Sequence, residues 1–202
     1  MKEAYSLGRE IDLSGISYGL SQWLVNGKTQ FIQDFPYYYY FLAGFVARKK
    51  IKNIIEIGTH MGGSTLSLQR GQHKVGIRDG KIVTIDISDL GNKVLEDKAG
   101  IFKLTGPAES PPIFQSIDHF EKPIDLLFID GLHDYEGTRQ QFDIYRKLFK
   151  PRYVLVDDIA LNPEMKQFWK EVVAKYSSSL NISSVHQETR DPACGMGLVK
   201  LR

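Results

Sequence analysis

The sequence holds a single cysteine, Cys194. That excludes an intramolecular disulfide and any zinc cluster built from cysteines. It has no long run of one charge: 26 Lys and Arg stand interspersed with 24 Asp and Glu, for a net charge of +2. No strong field therefore points to nucleic acid or an acidic membrane as partner. The most apolar stretch, residues 37–47, is too short to span a bilayer and runs into Arg48-Lys49-Lys50. Met1-Lys2-Glu3-Ala4-Tyr5 begins no apolar run of the signal-peptide kind. A cytoplasmic setting is expected, in which Asn181-Ile182-Ser183 is a chance match to a glycosylation sequon. There are no repeats, low-complexity tracts or linkers. What is present suits one folded domain: 42% hydrophobic and 25% charged residues over 202 positions, comfortable for one core and small for two.

Residues 1–30 carry weak signals and read as loops with one short helix at most. A helix is expected from Phe35-Pro36 to Lys49, with Pro36 in its first turn and an aromatic face including Tyr37–Tyr40, Phe41 and Phe45. From there strands and helices alternate. Asn53–Ile57 reads as a buried strand that stops at Gly58, and a helix begins at Ser64. Lys81–Asp86 and Ile101–Leu104 read as strands, then Pro112–Phe120 as a helix. Ile124–Asp130 is nearly all apolar, a strand covered on both faces. Tyr135–Lys150 has Phe142, Tyr145, Leu148 and Phe149 at helical spacing. Tyr153–Asp157 is a strand and Pro163–Tyr176 a helix. Ile182–Gln187 and Gly197–Leu201 read as a closing pair of strands around a Gly/Pro loop. The alternation implies an α/β fold with a doubly wound, mostly parallel sheet, and the closing pair an antiparallel hairpin at its edge.

On such a sheet, ligands sit at the carboxyl ends of the strands. Here those ends carry Gly58, Asp86, Asp130 and Asp157-Asp158. Polar groups where apolar strands leave the sheet are what a site requires. Glu56-Ile57-Gly58-Thr59-His60-Met61-Gly62-Gly63-Ser64-Thr65 joins the first of these strands to its helix. Gly58 permits a tight turn and close approach of a ligand, and the helix start offers free N–H groups. A dinucleotide loop G-x-G-x-x-G would need glycine where His60 stands. The nucleotide-phosphate loop is also missing: Gly27-Lys28-Thr29 fits its end, but Gln22 replaces its first glycine. Asp86 follows Glu56 by 30 residues, at a strand end where one carboxylate can accept both hydroxyl protons of a ribose.

Glu-x-Gly-x-x-x-Gly-Gly-Ser-Thr followed by Asp86 resembles class I S-adenosylmethionine-dependent methyltransferases, over about residues 35–202. The resemblance implies a Rossmann-like, seven-stranded sheet with a C-terminal antiparallel edge hairpin, and a single methyltransferase domain. Residues 1–34 would then be an extension or substrate lid. It implies that the Gly58–Gly63 loop cradles the methionine moiety, that Asp86 holds the ribose, and that Gly106 and Ala108 lie near the adenine. Glu56, Thr59, His60, Gly62, Gly63, Ser64, Ile87 and Asp130 complete the expected cofactor contacts.

Asp130 begins Asp130-Gly131-Leu132-His133-Asp134, and Asp157-Asp158 ends a neighbouring strand. Carboxylates that converge repel unless protonated or bound to a cation. Oxygen ligands of this kind suit Mg²⁺, Mn²⁺ or Ca²⁺ better than zinc. This part is similar to the metal-dependent O-methyltransferases of catechol and sugar or macrolide type, which implies Asp130, Asp157 and Asp158 as ligands of a divalent ion, Mg²⁺ first. The catechol type has lysine where this chain has His133, which places it nearer the sugar and macrolide type. A divalent ion lowers the pKa of a bound hydroxyl, and His133, with an ordinary pKa of about 6.5, is the candidate base. His60 reads as a loop residue or cofactor contact, and His73, His119 and His186 as surface residues. The tyrosine run reads as packing against the sheet rather than as a substrate platform.

The expected function is therefore divalent-metal-assisted O-methylation of a small hydroxylated substrate, with a homodimer compatible with the exposed edge elements. Alternatives are a metal-independent methyltransferase, insensitive to chelators, and a non-catalytic S-adenosylmethionine-binding module. A nicotinamide oxidoreductase is disfavoured by His60 and by the lack of a Tyr-x-x-x-Lys pair. Nucleic-acid methylation is disfavoured by the lack of an Asn/Asp-Pro-Pro-Tyr/Phe motif and of a basic stripe.

Overall fold

The chain opens with helix α1 (Lys2–Arg9) and a two-stranded antiparallel pair, β1 (Ser21–Val25) and β2 (Lys28–Ile32). Then come α2 (Tyr38–Lys49), β3 (Asn53–Ile57), α3 (Gly63–Lys74), β4 (Lys81–Asp86), α4 (Asn92–Leu95) and β5 (Ile101–Thr105). After them follow α5 (Pro111–Ser116), β6 (Leu126–Ile129), α6 (Tyr135–Phe149), β7 (Tyr153–Asp157), α7 (Pro163–Lys175), β8 (Ser179–Asn181) and β9 (Met196–Lys200). The computed structural model describes residues 2–16, 21–25, 28–32, 38–117, 120–183 and 194–202. The expected helix start at Pro36, the surface histidines His119 and His186, and residues 184–187 of the expected closing strand lie outside these.

Among the described residues the main sheet has seven strands in the order β5-β4-β3-β6-β7-β9-β8. β3 pairs in parallel with β4 and β6, β4 with β5, and β6 with β7, while β9 runs antiparallel to β7 and β8. This is the expected Rossmann-like doubly wound sheet with its edge hairpin. The central strands are almost wholly apolar because helices cover both faces. Alternation sends Ile55, Ile57, Leu127, Ile129, Val154 and Val156 into one core with Phe142, Tyr145, Phe149 and Phe168 of α6 and α7. Ile54, Leu126, Phe128 and Leu155 enter the other, against Phe41, Leu42 and Phe45 of α2 and Leu68 of α3. The winding reverses at β3, so a crevice opens between the carboxyl ends of β3 and β6.

Helix ends follow local chemistry. Asp134 caps α6 by accepting from the Gly137 N–H at 2.7 Å, and Asn162 caps α7 by accepting from Met165 N–H at 2.8 Å. α6 stops at Lys150, held in the left-handed region at φ 48°. A side chain there is strained, and Lys150→Gly is expected to raise stability by about 0.5–1 kcal/mol in urea unfolding.

Three elements differ from expectation. The one short helix allowed for in residues 1–30 is there as α1, but the β1–β2 pair, Ser21–Val25 with Lys28–Ile32, stands where loop was expected. The edge strand is Ser179–Asn181 rather than one starting at Ile182, which is instead buried against the α2 side of the sheet. The helix beginning at Pro111 ends at Ser116, short of Phe120. Among the described residues no helix is long and apolar enough to cross a membrane.

Candidate active site

A cavity of about 370 Å³ fills the crevice between β3 and β6. Gly58, Thr59, His60 and Ser64 line it from the β3–α3 loop, Asp86 and Ile87 from the end of β4, and Gly106 and Ala108 from the end of β5. Asp130 and His133 line it from the end of β6. Gly58 sits at its floor with φ +100°, its N–H donating to the Ile85 carbonyl at 2.8 Å. A Cβ at Gly58 would overlap the carbonyl oxygen of Asp130. Glycine is thus required by both backbone angle and space.

Asp86 is tied into the loop opposite. Its Oδ2 accepts from the His60 N–H at 2.7 Å, and its Oδ1 from the Ser88 N–H at 2.9 Å and hydroxyl at 3.1 Å. Burial would raise this carboxyl, but the donors from His60, Ser88 and Thr59 outweigh it and hold it below the usual carboxylate range. The result is a fixed, ionised acceptor facing the cavity. Ile87 beside it is 72% exposed, an apolar side chain bare at the rim.

Glu56, Gly62 and Gly63, expected among the cofactor contacts, do not line the cavity. Glu56 points to the α3 side of the sheet and is fully buried. Thr65 donates to its Oε2, as does Thr84 at 2.7 Å. Burial raises its carboxyl despite the hydroxyls of Ser64, Thr65 and Thr84. It fastens β3 to β4 and to the start of α3 from beneath. Gly63 makes room for the Tyr39 ring, which would stand 2.7–3.0 Å from a Cβ there. Tyr39 is also tied to α3 through its carbonyl, which accepts from the Ser67 hydroxyl at 2.6 Å.

Tyr38 and Tyr39 both line the cavity, in a T-shaped pair with ring centroids 4.8 Å apart. The tyrosine run is therefore more than sheet packing. Burial, with Tyr39, Asp130 and Asp157 nearby, pushes the Tyr38 phenol well above its ordinary value, so it remains an O–H donor.

At the far end of the cavity Asp130, His133 and Asp158 converge, their potential ligand atoms all within 4.8 Å of one another. His133 Nε2 is 2.9 Å from Asp158 Oδ2 and 3.8 Å from Asp130 Oδ1. The carboxylates of Asp130 and Asp158 push the imidazole up to about 10. Burial first, and then Asp157, raises the Asp130 carboxyl. The loop carrying His133 is braced by Asn162, whose amide donates to the His133 carbonyl at 2.7 Å. Asp157, expected as a third ligand, lies outside this convergent set. It is the last residue of β7, 5% exposed, and shares its face with Tyr153 and Leu155, whereas Asp158 leaves the strand at φ +58°. The left-handed turn of the backbone at Asp158 separates the two carboxyls, although Asp157 remains near enough to raise both Asp130 and Tyr38. Two carboxylates and an imidazole at this spacing fit a divalent cation.

Gln141 of α6 also faces the cavity and carries no motif signal. Its buried position is braced through Glu109, which accepts from Nε2 at 3.2 Å. The loop bearing Ala108 is held by Tyr145, whose hydroxyl donates to the Ala108 carbonyl at 2.9 Å.

The model of a family described as a methyltransferase domain matches residues 55–159, from within β3 to the turn after β7. The chain belongs to this methyltransferase domain family. The match spans Gly58, Asp86, Asp130, His133 and Asp158, so it covers both ends of the cavity. A search of curated proteins finds no match. Among solved structures, the methyltransferase is similar to the O-methyltransferase from Bacillus cereus in complex with SAH, with a TM-score of 0.63 and 21% identity over 98% of this chain and 89% of that one. It is similar to TomG from Streptomyces achromogenes, an O-methyltransferase involved in tomaymycin synthesis, in complex with SAM: TM-score 0.63 and 20% identity, over 98% and 87% of the two chains. It is also similar to an SAH-bound methyltransferase from Podospora anserina: TM-score 0.60 and 18% identity, over 82% and 78%. At such identity the likeness establishes the shared fold.

Proposed function

We propose that this methyltransferase uses S-adenosylmethionine to methylate an oxygen of a small hydroxylated molecule, a sugar or secondary metabolite, with the help of a divalent cation. The observation that carries the reading is that one cavity joins Asp86, an ionised diol acceptor, to Asp130 and His133 of the acid–histidine cluster. The volume of about 370 Å³ suits a small-molecule site. The relatives described as O-methyltransferases, two of them in complex with SAH or SAM, support the cofactor and the oxygen acceptor.

S-adenosylmethionine, when bound, supplies an electrophilic methyl group on its sulfonium. The Gly58–Ser64 loop and Ile87 would hold it, with Asp86 on the ribose hydroxyls. Asp130 and Asp158 would hold the cation, Mg²⁺ or Mn²⁺, whose charge makes a nearby hydroxyl more acidic. Sharing those carboxylates returns His133 toward its ordinary pKa of about 6.5, where it can take the acceptor's proton. With no secretion or membrane chemistry required, the cytoplasm is the proposed setting. One observation favours a metal-independent variant of the reaction: His133 already bridges the two carboxylates. Activity that survives EDTA would select it.

The test is calorimetric titration of EDTA-stripped protein with S-adenosylhomocysteine, with and without Mg²⁺, and with NAD as control. Binding of S-adenosylhomocysteine and not of NAD is expected, together with a separate Mg²⁺ heat. Binding of NAD alone, or of neither, overturns the cofactor reading; a missing Mg²⁺ heat overturns the cation.

A further inference from the structure

We propose that Gln141 reads the purine of the cofactor, its Oε1 accepting a hydrogen bond from the exocyclic 6-amino group and so selecting adenine over a 6-oxo purine. This rests on the S-adenosyl cofactor proposed above. Gln141 lies on the buried stripe of α6 with Thr138, Phe142, Tyr145 and Phe149, and is only 2% exposed. A polar side chain in such a place is costly unless its hydrogen bonds are made. One is made, from Nε2 to Glu109 Oε2. The reverse orientation of the amide would set its oxygen against the Glu109 carboxylate, so chemistry fixes which end faces which way.

The other end is left over. Oε1 is buried and has no hydrogen-bond partner in the protein, although Gln141 lines the cavity. It lies close to Gly131, 3.7 Å from where a Cβ on that residue would stand, at the carboxyl end of β6. Beside the amide is a second acceptor, the Glu109 carboxylate, Ile57 stands with Oε1 against Gly131, and the same cavity is lined by Ile85, Gly106 and Ala108. Two neighbouring acceptors fit a group with two N–H bonds on a flat ring. The 6-amino group of adenine has that form. A 6-oxo group would oppose oxygen to oxygen and leave Oε1 unpaired, which is the discrimination that hydrogen-bonding sites make most sharply.

The experiment compares S-adenosylhomocysteine with S-inosylhomocysteine by calorimetry, on the full chain and its Gln141→Leu variant. The wild type is expected to prefer the adenosyl compound by roughly ten-fold or more, and Gln141→Leu to narrow that ratio to about three-fold or less. The ratio is taken within one protein, so a general loss of stability does not imitate the effect. Gln141→Asn, which keeps the amide but shortens its reach, is expected to narrow it too, and carries the comparison if the leucine variant binds neither compound. An unchanged ratio in the variants, or no preference in a wild type that binds S-adenosylhomocysteine, overturns the role of Gln141 and leaves the cofactor reading standing. A wild type that binds neither compound overturns both.

Discussion

Gly58→Val is expected to abolish S-adenosylhomocysteine binding and to lower stability by about 3 kcal/mol or more, measured by calorimetry and urea unfolding. Two separate costs meet at this residue. The backbone is at φ +100°, where a β-branched side chain is strained. Any Cβ also overlaps the Asp130 carbonyl, so β3 and β6 must separate at their carboxyl ends. That separation opens the floor of the cavity and shifts Asp130. Gly76→Ala supplies the control: it has φ +78° but nothing within 4 Å of its added Cβ. It isolates the backbone strain, about 1 kcal/mol. If Gly58→Val is no worse than Gly76→Ala, the close approach of the two strands does not matter to the fold.

Asp158→Ala is expected to reduce methyl transfer roughly 100-fold or more, and to flatten the dependence of melting temperature on pH. The second effect has a definite sign. His133 titrates at about 10 in the folded protein, against about 6.5 in an unfolded chain. The folded state therefore binds more protons between those values. The stability given by the cluster is complete below about pH 6.5 and is lost as pH rises through about 10. Asp130, also raised, acts in the same direction: its share is present below the ordinary carboxylate range and fades as pH rises. Metal-free protein should thus melt at progressively lower temperature from pH 6.5 to 10. A divalent cation should restore more stability at the alkaline end, where it no longer competes with the imidazolium. In Asp158→Ala, His133 loses its partner at 2.9 Å and the slope should flatten. A variant that tracks the wild type across pH, with the same cation effect, would remove Asp158 from the cluster's chemistry.

The strands that position the site were legible because burial on both faces forces nearly unbroken apolar runs. Ile54–Ile57 and Leu126–Ile129 are of this kind, and they end where Gly58 and Asp130 interrupt them. Asp157 and Asp158 look alike in sequence, and only the left-handed turn of the backbone at Asp158, just past the end of β7, separates them. The β1–β2 pair was missed although its signal is present: Asn26-Gly27 stands between Ser21–Val25 and Lys28–Ile32, and Val25 pairs with Lys28. Asn-Gly between two such runs is a strong hairpin cue. Gln141 could have been suspected on one ground, a long polar side chain on the apolar stripe of α6. Ser179–Asn181 offered no comparable cue, since an exposed edge strand need not be apolar.

The contact of Tyr39 with Gly63 ties the acceptor side of the cavity to the cofactor loop as one mechanical unit. Whatever settles the start of α3 also settles the ring beside Tyr38. Occupancy of the two halves should then be cooperative, and thermodynamic reciprocity fixes its form. If S-adenosylhomocysteine tightens the grip on an acceptor by some factor, the acceptor must tighten the grip on S-adenosylhomocysteine by the same factor.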